Sequence, residues 1–175
     1  MFDTEKKRIK LRQGDLETEL EYSKELLVTA IHHTREALGH ADEAVKTVQE
    51  LPKDQEQYKR EKYLSMSNLI YYLVERNKLK GHELDQTEKT EALDLAKELL
   101  AEVSKRAYPD EFYDLKECAA WARFHLTAED DIAAKQKACD TIRKLLVDAD
   151  ISKDWRDDIN AEWASYLEKF PAKDN

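Results

Sequence analysis

The chain has 175 residues, of which 38% are charged and 41% hydrophobic, with a formal net charge of −9 and only three Gly and three Pro. That length suits one domain able to bury a core, and the scarcity of turn residues favours long helices over many short strands. The acidic balance argues against general binding of phosphate backbones, and apolar residues recurring at helical spacing exclude intrinsic disorder.

Residues 3–13 fit a helical turn or two and carry a basic run, Lys6, Lys7, Arg8, Lys10 and Arg12. With no apolar segment near the start, no secretory signal is expected. Gly14 then interrupts, and Asp15, Glu17 and Glu19 give an acidic first turn to a new helix. Its apolar positions are Leu16, Leu20, Leu27, Ile31 and Leu38, mostly three, four or seven apart, and Gly39 is expected to end it. A short helix over residues 41–51 carries Ala44, Val45 and Val48 and stops at Pro52.

Asp54 and Gln57 resemble a capping box for a helix over residues 54–80. Tyr63, Met66, Leu69, Ile70 and Leu73 form its buried face, and Gly81 ends it. The stretch 63–74 is the longest uncharged run, too short and too polar to span a bilayer, so a cytoplasmic location is expected. Residues 82–88 read as a loop. A helix over 88–107 points Leu93, Ala96, Leu99, Leu100 and Val103 inward, and Pro109 breaks it. Asp110 is the expected cap of the helix to Leu126, and Thr127 that of a helix carrying Ile132, Ala134, Ala138, Ile142, Leu145 and Leu146. Ser152 caps the last helix, whose stripe of Trp155, Ile159, Trp163, Leu167 and Phe170 is the cleanest in the chain and reads as core. Cys118 and Cys139 lie among alanines on helices and read as small buried hydrophobes.

The resulting class is all-α: a single domain of about seven helices, with an N-terminal helical pair over 1–52, helical hairpins over 54–150 and a closing helix over 152–170. The hairpins resemble tetratricopeptide-type repeats. Leu115, Cys118, Ala119 and Ala122 fit the first-helix pattern of that family, and Ala134, Ala138 and Thr141 fit the second. Met66, Leu69 and Leu73 with Ala96, Leu100 and Val103 give the preceding hairpin, which Pro109 closes. Ile70 stands where the family uses Gly or Ala, and the loop after Gly81 is longer than the family's turn. The order of Asn68-Leu69-Ile70-Tyr71-Tyr72-Leu73, Tyr108-Pro109 and Ala120-Trp121-Ala122-Arg123-Phe124 also resembles helical tails on larger bacterial signalling and defence proteins.

These resemblances imply a non-enzymatic module that binds a protein or peptide, as an accessory or adaptor subunit, with no cofactor. In such repeats the first helices line the concave side. Projected onto this chain, that side carries Ser67, Tyr71 and Glu75 from one hairpin and Tyr113, Lys116, Ala120 and Arg123 from the next. Lys116 and Arg123 are then expected to hold a partner's carboxylate. Two other classes are open. His32, Glu36 and His40 recur at steps of four on one helix face, a spacing used by metal-binding bundles, although the paired Glu-x-x-His signature of ferritin-like proteins is absent. The basic run over 6–12 is a possible phosphate contact for a regulatory subunit. Catalytic motifs are missing: there is no Gly-x-Ser-x-Gly elbow, no Gly-rich phosphate loop and no paired cysteine motif.

Overall fold

In a computed structural model the backbone is described for residues 2–48, 52–103, 111–148 and 151–172, and side chains for 24–48, 56–103, 113–148 and 151–172. Six helices are present among the described residues: α1 (Phe2–Thr47), α2 (Pro52–Asn77), α3 (Gln86–Val103), α4 (Glu111–Leu126), α5 (Ile132–Leu146) and α6 (Lys153–Lys169). The all-α class holds, and the helix count is six rather than seven.

The difference lies in α1, which runs unbroken through Gly14 and Gly39. A glycine inside a helix costs only about 1 kcal/mol relative to alanine, which strong formers on either side offset. At Gly39 a Cβ would meet nothing within 4 Å, so the residue sits on an open face and ends nothing. Pro52 opens α2 rather than closing a separate short helix, because its missing N–H is harmless in a first turn. Asp54 therefore falls inside that first turn and is not its cap.

After Asn77 the chain turns through Gly81, whose φ of +80° is a backbone state that glycine adopts without strain. Asn77 Oδ1 accepts from the Leu84 amide at 3.1 Å, and Leu84 plugs the end of the core at 4% exposure. Then comes a reciprocal capping box. Asp85 Oδ1 accepts from the Glu88 amide at 2.9 Å, and Glu88 Oε2 accepts from the Asp85 amide at 3.4 Å. Glu88 also meets Arg76 at 2.7 Å, tying α3 to α2. Asp85→Ala should therefore cost about 1 kcal/mol in a urea titration, with the slope of the transition unchanged.

Asp131, not Thr127, caps α5: its Oδ1 accepts from the Ala134 amide at 2.9 Å. The Thr127 hydroxyl instead donates back to the Arg123 carbonyl at 2.7 Å, closing the last turn of α4. Capping at Asp131 puts Ile132 in the first turn at 58% exposure, outside the core where its stripe had placed it. Ser152 caps α6 as expected, its Oγ accepting from the Trp155 amide at 3.4 Å. Residues 104–110, with the expected break at Pro109 and cap at Asp110, lie outside the described residues.

The helices pack in sequence: α1 on α2, α2 on α3, α3 on α4, α4 on α5 and α5 on α6, with α2 also against α4. Lys62 on α2 ties three helices together, reaching Asp42 on α1 at 2.9 Å and Glu98 on α3 at 2.8 Å. Arg35 on α1 forks onto Glu91 on α3 through Nε and a terminal nitrogen. The expected α2 face is buried in full: Tyr63, Met66, Leu69, Ile70 and Leu73 all lie in the core. Helix α4 is buried almost all round, through Tyr113, Leu115, Cys118, Ala119, Ala120, Trp121, Ala122, Phe124 and Leu126, which makes it the centre of the fold. Both cysteines are buried free thiols. Among the described residues no helix is long and apolar enough to cross a membrane.

Candidate functional site

Three helices that are not adjacent in sequence converge on a cleft of about 180 Å³. From α2 come Ser67, Asn68 and Tyr71, from α4 Asp114, Glu117, Cys118 and Trp121, and from α6 Glu162. The α4 contribution follows from helix geometry, since steps of three, four and seven from Asp114 stay on one stripe. The α6 contribution is fixed by Trp163, which is fully buried and whose Nε1 donates to Glu117 Oε1 at 2.9 Å. Its ring packs edge-on against Trp121, with centroids 5.4 Å apart, and against Phe124 at 5.8 Å.

The cleft is acidic, and its charges are held at a cost. Burial pushes the Glu117 carboxyl up to about 7. The Trp163 hydrogen bond opposes that rise, while Glu162, Asp114 and Asp158 add to it by repulsion. Burial raises Asp114 as well. The Tyr71 hydroxyl is raised by burial and then by Glu75 and Glu162, although half of the residue remains exposed. Beneath them Cys118 Sγ donates to the Ser67 carbonyl at 3.3 Å, and burial takes its thiol up to about 12, so it is no nucleophile. Over the Trp121 ring stands a cation, Lys78 Nζ, 4.2 Å from the centroid.

Of the residues projected onto the concave side, Ser67 and Tyr71 line this cleft, with Ser67 buried at 7%. Glu75 is half-buried and paired with Lys78 at 2.6 Å. The four α4 positions do not join them. Tyr113 and Ala120 lie in the core at 4% and 1% exposure. Lys116 is half-buried with its Nζ 5.7 Å from the Tyr113 ring, and Arg123 is half-buried two turns further on. Lys116 follows Asp114 by two residues, a rotation of about 200°, so it and Arg123 look away from the cleft. On α4 the cleft is lined instead by Asp114, Glu117, Cys118 and Trp121. Asp114, Glu117 and Trp121 are at helical spacing along α4, but nothing local in the sequence ties them to Tyr71 or Trp163.

No family model, curated protein or solved structure matched the chain.

The histidine cluster differs in membership from expectation. His32, His33 and Glu36 lie with their ligand atoms within 4.8 Å of one another, and all three are exposed. His33 Nδ1 is 3.2 Å and His32 Nε2 3.6 Å from the Glu36 carboxylate. His40 is exposed and not part of this group. Built metal centres surround their ligands with buried hydrogen-bond partners, and this face of α1 offers solvent instead. The side chains of the basic run over 6–12 lie outside the described residues.

Proposed function

We propose that the chain is a non-enzymatic interaction module of tetratricopeptide-like hairpins whose cleft between α2, α4 and α6 receives a lysine or arginine side chain of a protein partner. One observation carries the reading: Asp114, Glu117 and Glu162 surround a cleft walled by Tyr71 and Trp121. Carboxylates attract a cation, and the half-exposed ring of Tyr71 adds cation–π stabilisation, the Trp121 ring being already covered by Lys78. Size favours a side chain over a cofactor, because pockets that enclose small molecules run roughly 300–1,000 Å³. The order of packing supports the repeat reading. Helices α2 and α3 form one hairpin and α4 and α5 the next, α2 touches α4, and α6 closes the end. In that frame α2, α4 and α6 are the first helices of their units, and the cleft lies on the side such modules use.

Isothermal titration with short Lys- or Arg-containing peptides should detect binding that weakens as salt is added. The triple change Asp114→Asn, Glu117→Gln, Glu162→Gln should weaken it at least about tenfold, the loss expected for one charge-assisted hydrogen bond. Lys116→Glu with Arg123→Glu should leave it intact, because those residues face away. Equal affinity for acidic peptides, or an unchanged constant in the triple variant, would reject the assignment.

A further inference from the structure

Ion pairs tie neighbouring helices together elsewhere in the fold: Lys62 meets Asp42 and Glu98, Arg35 meets Glu91, and Arg76 meets Glu88. The cleft between α2, α4 and α6 breaks that pattern. Asp114, Glu117 and Glu162 line it, Asp158 stands one turn before Glu162, and no described lining residue is basic. Asp114 and Glu117 are three residues apart and Asp158 and Glu162 four, spacings at which like charges on one helix repel. None of the four carboxylates has a basic partner among the described residues. Glu117 takes one hydrogen bond, from Trp163, where an ionised carboxylate offers about four acceptor sites. The charge of this group is balanced either by a proton or by a cation from outside.

We propose that the two compete: a lysine or arginine side chain enters the cleft by displacing a proton from Glu117, so that partner capture switches on as the pH rises. This rests on the reading of the cleft as a cation site and adds its regulation. The coupling is reciprocal, since a cation that expels the proton is expelled by it with the same free energy. The groups around Glu117 set the balance. Burial takes its carboxyl up to about 7, and Glu162, Asp114 and Asp158 add to the rise by repulsion, while the Trp163 hydrogen bond opposes it. From α2 the Tyr71 hydroxyl faces the same space, raised by burial from 10.0 and therefore neutral. The Cys118 thiol beneath, pushed up to about 12 by burial, is neutral too. Helices α3 and α5 pack on α4 and supply no lining residue among those described. Lys78 stands over the Trp121 ring, and His125 beside that ring is lowered to about 4 by burial and by Lys78 and Lys135. His125 therefore does not titrate between pH 6 and pH 8, where the proton on Glu117 does.

Calorimetry of the full chain with a short capped peptide, whose only ionisable group is arginine, tests the coupling. Affinity should fall about tenfold from pH 8 to pH 6, where the free cleft holds its proton about nine times in ten. At pH 7 binding should release about half a proton per peptide, read from the difference in heat between phosphate and Tris buffers. Glu117→Gln should bind more weakly, with equal affinity at the two pH values and no proton release. Asp114→Asn removes a repelling charge, so its affinity should begin to fall at a lower pH than that of wild type. Circular dichroism at both pH values checks that each variant is folded. Carbon-detected NMR of the wild-type chain should place the Glu117 midpoint at about 7 when free and lower with the peptide bound. The same constant at pH 6 and pH 8, with no proton release, overturns the coupling and leaves the cleft reading standing. A Glu117→Gln chain that keeps the wild-type pH dependence overturns the coupling as well. No binding at pH 8 rejects the cleft reading, and the coupling with it.

Discussion

Replacing Trp163 by alanine should lower the unfolding free energy by about 4 kcal/mol, the range found when a large aromatic is removed from a closed core. Three features combine to place it there. The side chain is fully buried, and it is among the largest of the fully buried groups. Its ring touches Trp121, Phe124 and Tyr166, with centroids 5.4, 5.8 and 5.8 Å away. Its Nε1 is the donor to Glu117, so truncation also leaves a half-buried carboxyl without its partner. For a chain of this size the loss corresponds to a fall in Tm of roughly 12 °C. Trp155, on the same helix and the same sequence stripe, is 37% exposed, and Trp155→Ala should cost under about 1 kcal/mol. Guanidinium titrations of the two variants make the comparison, and near-ultraviolet circular dichroism reports the loss of the aromatic cluster in the first. Equal losses would mean that α6 packs evenly along its stripe, against the burial seen here.

That contrast marks how far the sequence could be read. The stripe of α6 announced a core helix, and Ile159, Trp163 and Phe170 do lie in the core. Its outer end, Trp155, does not, because a stripe gives a direction and not the depth at which each turn meets a neighbour. The α2 face was legible residue by residue, since five apolar side chains at helical spacing leave one way to bury them. Gly14 and Gly39 do not interrupt α1, because the helix formers around each offset a glycine's local cost. Two capable caps lie four residues apart, and the Thr127 hydroxyl is engaged with the Arg123 carbonyl while Asp131 accepts from the Ala134 amide. The cleft was least legible. Trp163 meets Glu117 across 46 positions, and only the packed helices make them neighbours. On α4 the basic Lys116 and the acidic Glu117 are adjacent in sequence, yet only Glu117 lines the cleft, because each step rotates a side chain by about 100°.

Glu117→Gln should stabilise the protein above pH 7 and leave it unchanged at low pH. The folded state raises this carboxyl from 4.5 to about 7, so it binds the proton more tightly than the unfolded chain does. Stability from this group is therefore full below the unfolded value of 4.5, falls between 4.5 and about 7, and stays lower beyond. The shift alone corresponds to roughly 3 kcal/mol, and residual contact with water brings the expected gain to about 2 kcal/mol. Glutamine keeps an oxygen for the Trp163 donor and removes the charge. His125 works in the opposite direction. Burial lowers its imidazole to about 4, helped by repulsion from Lys78 and Lys135, and its ring lies 4.1 Å from that of Trp121. Its contribution is full above the unfolded value of 6.5 and is lost as the pH falls through about 4. The two groups thus offset each other between about 4.5 and 6.5. Denaturant titrations across that window should show Glu117→Gln losing stability relative to wild type as the pH falls, and His125→Phe gaining relative to wild type. Parallel shifts in both variants would sink the account. A carboxyl that weakens the fold at neutral pH, while standing in a cleft suited to a cation, is the pattern expected where charge is kept for binding rather than for stability.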